Sequence, residues 1–331
     1  IQFKLEGQLK KRRPEFKLDD LVLLNQIDWD KNEIMIDGVS YKLENTCFET
    51  VKHDASFELT QDETEVVQSL LNSFMNAAKL RKHLDFLVNK GSMYKIYNGN
   101  LLFHGCIPVA EDGTFQAFEY EGKHYAGQQL LDFCEQKLRK AYHKPHKGES
   151  IEADMIWYLW QGTLSPLFGK HCMTTFARYF ISEDEPKVEH KNAYFELRKE
   201  EWFCEQLLGE FGLNQESGHV INGHTPVKKE QEPILANKKM IVIDGGYSKA
   251  YQPITGIGGY TLLYNSYGLQ LVTHHPFTSK NDAVKNGRDI ISTRKIVNQE
   301  LERQTVADTD IGREIKKSLG MLREILSKYD N

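Results

Sequence analysis

Residues 220–228 read VINGHTPVK, and the reading of this stretch decides how the rest of the chain is understood. Val220 and Ile221 are β-branched, the composition of a buried strand end. The chain then meets Asn222-Gly223, a turn dipeptide, presents His224, and fixes its exit with Thr225-Pro226. A histidine at a strand terminus beside a glycine allows another group to approach the imidazole closely. The same arrangement occurs upstream, where Leu101-Leu102-Phe103 runs into His104-Gly105. Neutral imidazole is the commonest metal ligand, so His104 and His224 are candidate ligands. Taken singly, each is better read as a hydrogen-bonded packing residue, and finding two narrows that difference without reversing it.

Working outward, HVING, MIVIDGG, GGYTLLYNS and LQLVTHHPF predict consecutive strands between residues 219 and 277. Three further stretches predict hairpins, each turning on a residue followed by glycine: EIMIDGVSY at Asp37-Gly38, YKIYNGNLLFHG at Asn98-Gly99, and FQAFEYEGKHYA at Glu121-Gly122. Helices are expected over residues 1–13, 128–142 and 200–211, and through Trp157. A long helix over 60–90 is expected to start at the capping box Thr60-x-x-Glu63 and to carry the stripe Val66, Val67, Leu70, Leu71, Phe74, Ala78 and Leu87. A second long, charged amphipathic helix is expected over 295–328. Residues 143–150, HKPHKGES, read as the most linker-like piece, with His143, His146, Lys144 and Lys147 in a solvated loop. Helices at both ends with strands between predict a layered α/β or α+β domain spanning 1–331.

Composition narrows the function classes. The 331 residues are 40% apolar and 11% aromatic, enough to fill a core. A net charge of −5 argues against a nucleic-acid partner, which usually selects a basic surface. No apolar run approaches the roughly 18 residues of a membrane span; the most apolar stretch, MIWYLW at 155–160, reads as core aromatics Trp157, Tyr158 and Trp160. Five dispersed cysteines without a C-x-x-C predict reduced thiols in a cytoplasmic protein. Ser165 lacks a nucleophile elbow. The glycines at 256, 258 and 259 precede a strand, so they lack the helix N-terminus that a phosphate loop needs. Asp244-Gly245-Gly246 is evenly balanced between a metal or phosphate site and a turn cap. His274 and His275 should face opposite sides of a strand and are read as structural.

Longer strings carry a resemblance. IQFKLEGQLKKRRPEF, LLFHGCIP, WYLWQGTLSPLFGKHCMTTFARYF, HVINGHTPVK, VIDGGYSKAYQPITGIGGYTLLYNS and HHPF together resemble the class III fructose-1,6-bisphosphatases of bacteria, within the calcineurin-like metallophosphoesterase superfamily. The resemblance spans essentially the whole chain. It implies a β-sandwich flanked by helices and hydrolysis of fructose 1,6-bisphosphate at a binuclear manganese site. His104 in FHG and His224 in NGH match the two isolated histidines that would bind the second metal. Asp244 and Asn222 would support the ligands, and Lys170, Arg178, Lys228 and Lys249 are candidate partners of the substrate phosphates. The superfamily's D-x-H, G-D-x-x-D-R-G and G-N-H motifs are absent, so the chain resembles the C-terminal portion of such an enzyme. Activity on phosphoproteins or nucleotides, and a non-catalytic fragment, are the alternatives. A homo-oligomer stays open.

Overall fold

The computed structural model describes residues 1–53, 57–144, 149–276, 279–286 and 292–329. The expected loop residues His146 and Lys147, and Phe277 of the HHPF string, lie outside that set. The chain is a mixed α/β structure with several separate sheets, divided into two compact units. The first comprises Ile1–Met93 and Cys106–Tyr194; the second comprises Tyr94–Gly105 and Phe195–Asn331.

The first unit is built around aromatic rings. Helix Gln2–Arg12 is followed by a three-stranded antiparallel sheet, Ile27–Asp28, Glu33–Ile36 and Val39–Lys42. A small hairpin, Phe118–Tyr120 with Lys123–Tyr125, and helices Gly127–His143, Ile151–Gln161 and Thr175–Phe180 complete the core. Phe16, Phe118, Phe133 and Tyr158 pack with ring centroids 4.8–6.1 Å apart, spacings that favour tilted aromatic pairs. Of the expected core aromatics Tyr158 is buried and Trp157 partly so, but Trp160 is 51% exposed because it falls on the outer face of its helix.

The capping box at Thr60 and Glu63 forms as expected. The single helix predicted over 60–90 does not: Gln61–Met75 and Ala78–Lys90 are separate. The break occurs where the Asn76 side chain donates to the Asn72 carbonyl, competing with helix continuation, and where Ala77 leaves helical geometry. The Gln61–Met75 helix buries none of its side chains, so the stripe read from the sequence does not face this unit's core.

The second unit holds a five-stranded sheet in the order Tyr94–Tyr97, Asn100–Phe103, Val220–Asn222, Met240–Val242, Ile234–Leu235. The central three strands are parallel, and both edges are antiparallel. Central parallel strands are covered on both faces, which is why they read as nearly continuous apolar runs. Leu101, Val220, Met240 and Ile241 are fully buried, as are Phe203, Cys204, Leu207 and Leu208 of the neighbouring helix Glu201–Glu210. Each such Leu or Phe contributes about 1.5–3 kcal/mol.

A separate antiparallel sheet contains Gly259–Asn265, Gly268–His274 and Ser292–Gln299. The last strand occupies the start of the helix predicted over 295–328, which instead runs Asp310–Tyr329. Only Val297 of that strand is buried, so the strand shows no alternation for a sequence reading to detect. The helix is tied down at its start by reciprocal bonds: Asn98 N donates to Asp310 Oδ2 at 2.6 Å, and Asp310 N to Asn98 Oδ1 at 3.0 Å. All three predicted hairpin turns form, with both turn residues at positive φ: 51° and 80° at Asp37-Gly38, 48° and 75° at Asn98-Gly99, 50° and 71° at Glu121-Gly122. A Cβ on any of these glycines would meet nothing within 4 Å, so conformation alone, not space, requires glycine there.

Candidate functional site

The register of the central strands aligns Phe103, Asn222 and Val242. The residues that follow, His104, Gly223-His224 and Ile243-Asp244, therefore leave the sheet side by side at the carboxyl ends of three adjacent parallel strands. Ligands of open α/β sheets bind at that edge. The rings of His104 and His224 meet edge to face, with centroids 5.3 Å apart and planes at 88°. His104 is exposed and His224 partly buried, so the pair borders solvent.

Asn222 is the last residue of its strand rather than a turn residue, and it is 1% exposed. Its Nδ2 donates towards the carbonyls of Phe103, His104 and Gly105, at 3.3, 3.0 and 2.8 Å. Its Oδ1 accepts from Arg198 Nη1 at 2.7 Å. Gly223 N also donates to the His104 carbonyl, at 3.2 Å. The turn falls one residue later than the Asn-Gly dipeptide suggests, because His224 takes the left-handed conformation, at φ 68°. Thr225 N donates to the Gly223 carbonyl at 2.8 Å, closing a three-residue turn centred on that histidine. Positive φ at a non-glycine residue costs on the order of 1–3 kcal/mol and concentrates at functional sites.

Gly223 serves space instead. A Cβ built there would stand 3.1 Å from His104 Nδ1, so the missing side chain is what lets the other imidazole in. Asp244 caps the adjacent loop: its Oδ1 accepts from Gly246 N at 3.1 Å and its carbonyl from Val227 N at 2.9 Å. It supports the exit of the His224 segment through the backbone.

Lys228 and Lys249 are exposed in this unit. Lys170 and Arg178 belong to the first unit and have partners there. Lys170 Nζ pairs with Glu189 at 2.5 Å, and Arg178 donates to Thr174 Oγ1 and the Lys187 carbonyl. His274 accepts the structural role read for it, its Nε2 lying 2.7 Å from Thr261 Oγ1. Ser165 Oγ is spent on the Leu159 carbonyl, at 2.6 Å. All five cysteines are free thiols, and burial pushes Cys134 and Cys204 up to about 12, which leaves them unreactive.

Sequence reasoning missed Arg198 and Phe195. The Arg198 guanidinium lies 5.1 Å from the Phe195 ring centroid, and that ring lies 6.3 Å from the His224 ring. In the string FELRKEE, Arg198 is one charge among several, with no local sign that it alone is buried.

Two neighbouring imidazoles suit a borderline divalent ion. They supply only part of its shell: among the described residues no group of three or more His, Cys, Asp or Glu side chains could hold a metal. No helix among them is long and apolar enough to cross a membrane.

The model of the family described as Firmicute fructose-1,6-bisphosphatase matches residues 1–331. Relatives named fructose-1,6-bisphosphatase class 3 include those of Ligilactobacillus salivarius, 56% identical over 331 residues, Bacillus velezensis, 52% over 327, and Listeria innocua, 50% over 335. The alignments cover 98–100% of this chain but 51–52% of those relatives, so the chain spans about half their length. No solved structure matches it. From its first residue to its last, the chain belongs to the Firmicute fructose-1,6-bisphosphatase family.

Proposed function

We propose that the chain forms the part of a class 3 fructose-1,6-bisphosphatase that supplies His104 and His224 to a manganese site. The reaction is hydrolysis of fructose 1,6-bisphosphate to fructose 6-phosphate and phosphate. The observation that carries the reading is the 5.3 Å pairing of two histidines from strand ends 120 residues apart, in a chain matched throughout by that family. A divalent ion held by His104 and His224 would supply Lewis-acid activation of water and neutralise charge on the phosphoryl oxygens.

The chain's own part is positional. His104 and His224 present their ring nitrogens, Asn222 holds the backbone around His104, and Asp244 holds the loop that follows His224. Lys228 and Lys249, both exposed, are proposed to meet substrate phosphates; Lys170 and Arg178 would have to leave their present partners to do so. We assign the chain to the calcineurin-like metallophosphoesterase superfamily, with the five-stranded sheet as one layer of its sandwich, and to the cytoplasm. An experimental structure of a relative checks the first assignment.

The test is orthophosphate release with Mn2+ by this chain joined to the other half of a class 3 relative, comparing fructose 1,6-bisphosphate with a phosphopeptide. His224→Ala is expected to lower bound manganese and hydrolysis together. Retention of both removes His224 from the site, and preference for the phosphopeptide removes the sugar bisphosphate as substrate.

A further inference from the structure

Arg198 is 9% exposed, yet its guanidinium has no carboxylate within ion-pair reach among the described residues. Its Nε has no hydrogen-bond partner among them. Burying a guanidinium without a counter-ion is costly, and a buried polar atom left unsatisfied calls for an explanation. Hydrophobic packing alone would be served better by Leu or Met.

The contacts that Arg198 does make converge on the histidine pair by two routes. Through Nη1 it donates to Asn222 Oδ1, at 2.7 Å, and Asn222 Nδ2 in turn reaches the carbonyls of residues 103–105. Through its face it lies against Phe195, whose ring neighbours that of His224. The first route has an electrostatic logic. Three carbonyl oxygens crowd one side of the Asn222 amide, so the amide must present nitrogen there and oxygen to the opposite side. A cationic donor on that oxygen enforces this orientation and strengthens the outgoing N–H bonds.

We propose that Arg198 is a positioning residue for the His104–His224 pair, aiming one imidazole through the Asn222 amide and bracing the other through the Phe195 ring. The inference rests on the metal reading of those histidines for its functional meaning, but its geometry can be tested separately. Substitution of groups that orient metal ligands typically weakens metal binding by about 10- to 100-fold.

The experiment uses the full chain labelled with 13C at histidine rings, and Cu2+ as a probe that imidazoles bind more tightly than they bind Mn2+. The parent should show a cross-peak between the ring protons of His104 and His224, and a Cu2+ site lost in His224→Ala. Arg198→Met should lose the cross-peak and weaken that site at least tenfold while the remaining spectrum is kept. Arg198→Lys, which retains a cationic donor but not the planar fork, should recover part of both. If Arg198→Met does not fold, Arg198→Lys is read alone, and it should still weaken the site at least threefold. An unchanged cross-peak and affinity in the folded variant overturn the positioning role. Unchanged Cu2+ binding in His224→Ala sinks the metal reading alone, and the positioning role is then decided by the cross-peak, which is measured without metal.

Discussion

Gly223→Ala isolates the aim of one imidazole from the stability of the fold. The glycine does not use a positive φ, so alanine fits the backbone, and restricting the unfolded chain gains about 0.4–1 kcal/mol. Against this, the added methyl would stand 3.1 Å from His104 Nδ1, where ordinary contact begins at 3.4 Å. The His104 ring must yield by a few tenths of an ångström. Turning it off its rotamer to do so costs about 0.5–1.5 kcal/mol. These effects nearly cancel, so net stability should change by less than about 1 kcal/mol. Metal–ligand distances, however, tolerate only about ±0.2 Å. The displacement exceeds that tolerance, and affinity at the paired site should fall tenfold or more. Cu2+ titration and thermal unfolding of the same samples read the two quantities separately. Affinity within twofold of the parent would refute the reasoning, because Gly223 would then not be what admits the imidazole. A large loss of stability with unchanged affinity would make the contact ordinary packing.

Two further outcomes concern the framework. His219 is buried beside Asn100, with Nδ1 3.1 Å from Oδ1, and burial, assisted by the Lys239 charge, pushes it down to about 4. A depressed histidine favours folding in its neutral form, so its contribution is complete above the ordinary value of 6.5 and lost as pH falls from there towards 4. His219→Gln should therefore flatten the pH dependence of unfolding in that window by up to about 3 kcal/mol; parallel curves for parent and variant would contradict it. Asp154 accepts from Arg12 Nη2 at 2.7 Å, Arg12 Nε at 2.9 Å and Arg13 Nε at 2.7 Å. Burial alone would raise its carboxyl, but these bonds outweigh it and hold the carboxyl below 3.8. Asp154→Asn should cost about 1.5–3 kcal/mol by denaturant unfolding near neutral pH. The difference from the parent should shrink as pH falls below 3.8, and a difference independent of pH would show that the charge is not what holds the two arginines.

Much of the framework was legible because its signals are local. A residue-glycine pair between short apolar runs closes a hairpin through the sterics of its own two φ angles, and all three such turns form. The parallel strands announced themselves as apolar runs, and Thr60 and Glu63 cap each other across a single helical turn. His104 and His224 stood out for the same reason: each follows a buried run and adjoins a glycine. What their sequence context could not state is that they meet. That follows from the register of Asn100–Phe103 against Val220–Asn222, set by pairing between segments more than a hundred residues apart. The Ser292–Gln299 strand was misread because its one buried residue leaves no periodicity, and the helix break at Asn76 because a side-chain bond overrides an otherwise helical pattern.

The amino-acid sequence by itself thus determined the family, the parallel strands, the hairpin turns and the two histidines, all of which rest on neighbours within a few positions or on long matching strings. Tertiary structure alone decided that Gly223 makes room rather than a turn, that His224 takes the left-handed conformation, and that Arg198 is the charge buried behind the pair. The roles of Gly223 and Arg198 arise from contacts between residues 119 and 24 positions apart. A charge in a run of charges becomes special only when the folded chain removes it from water and leaves it one amide and one ring to hold.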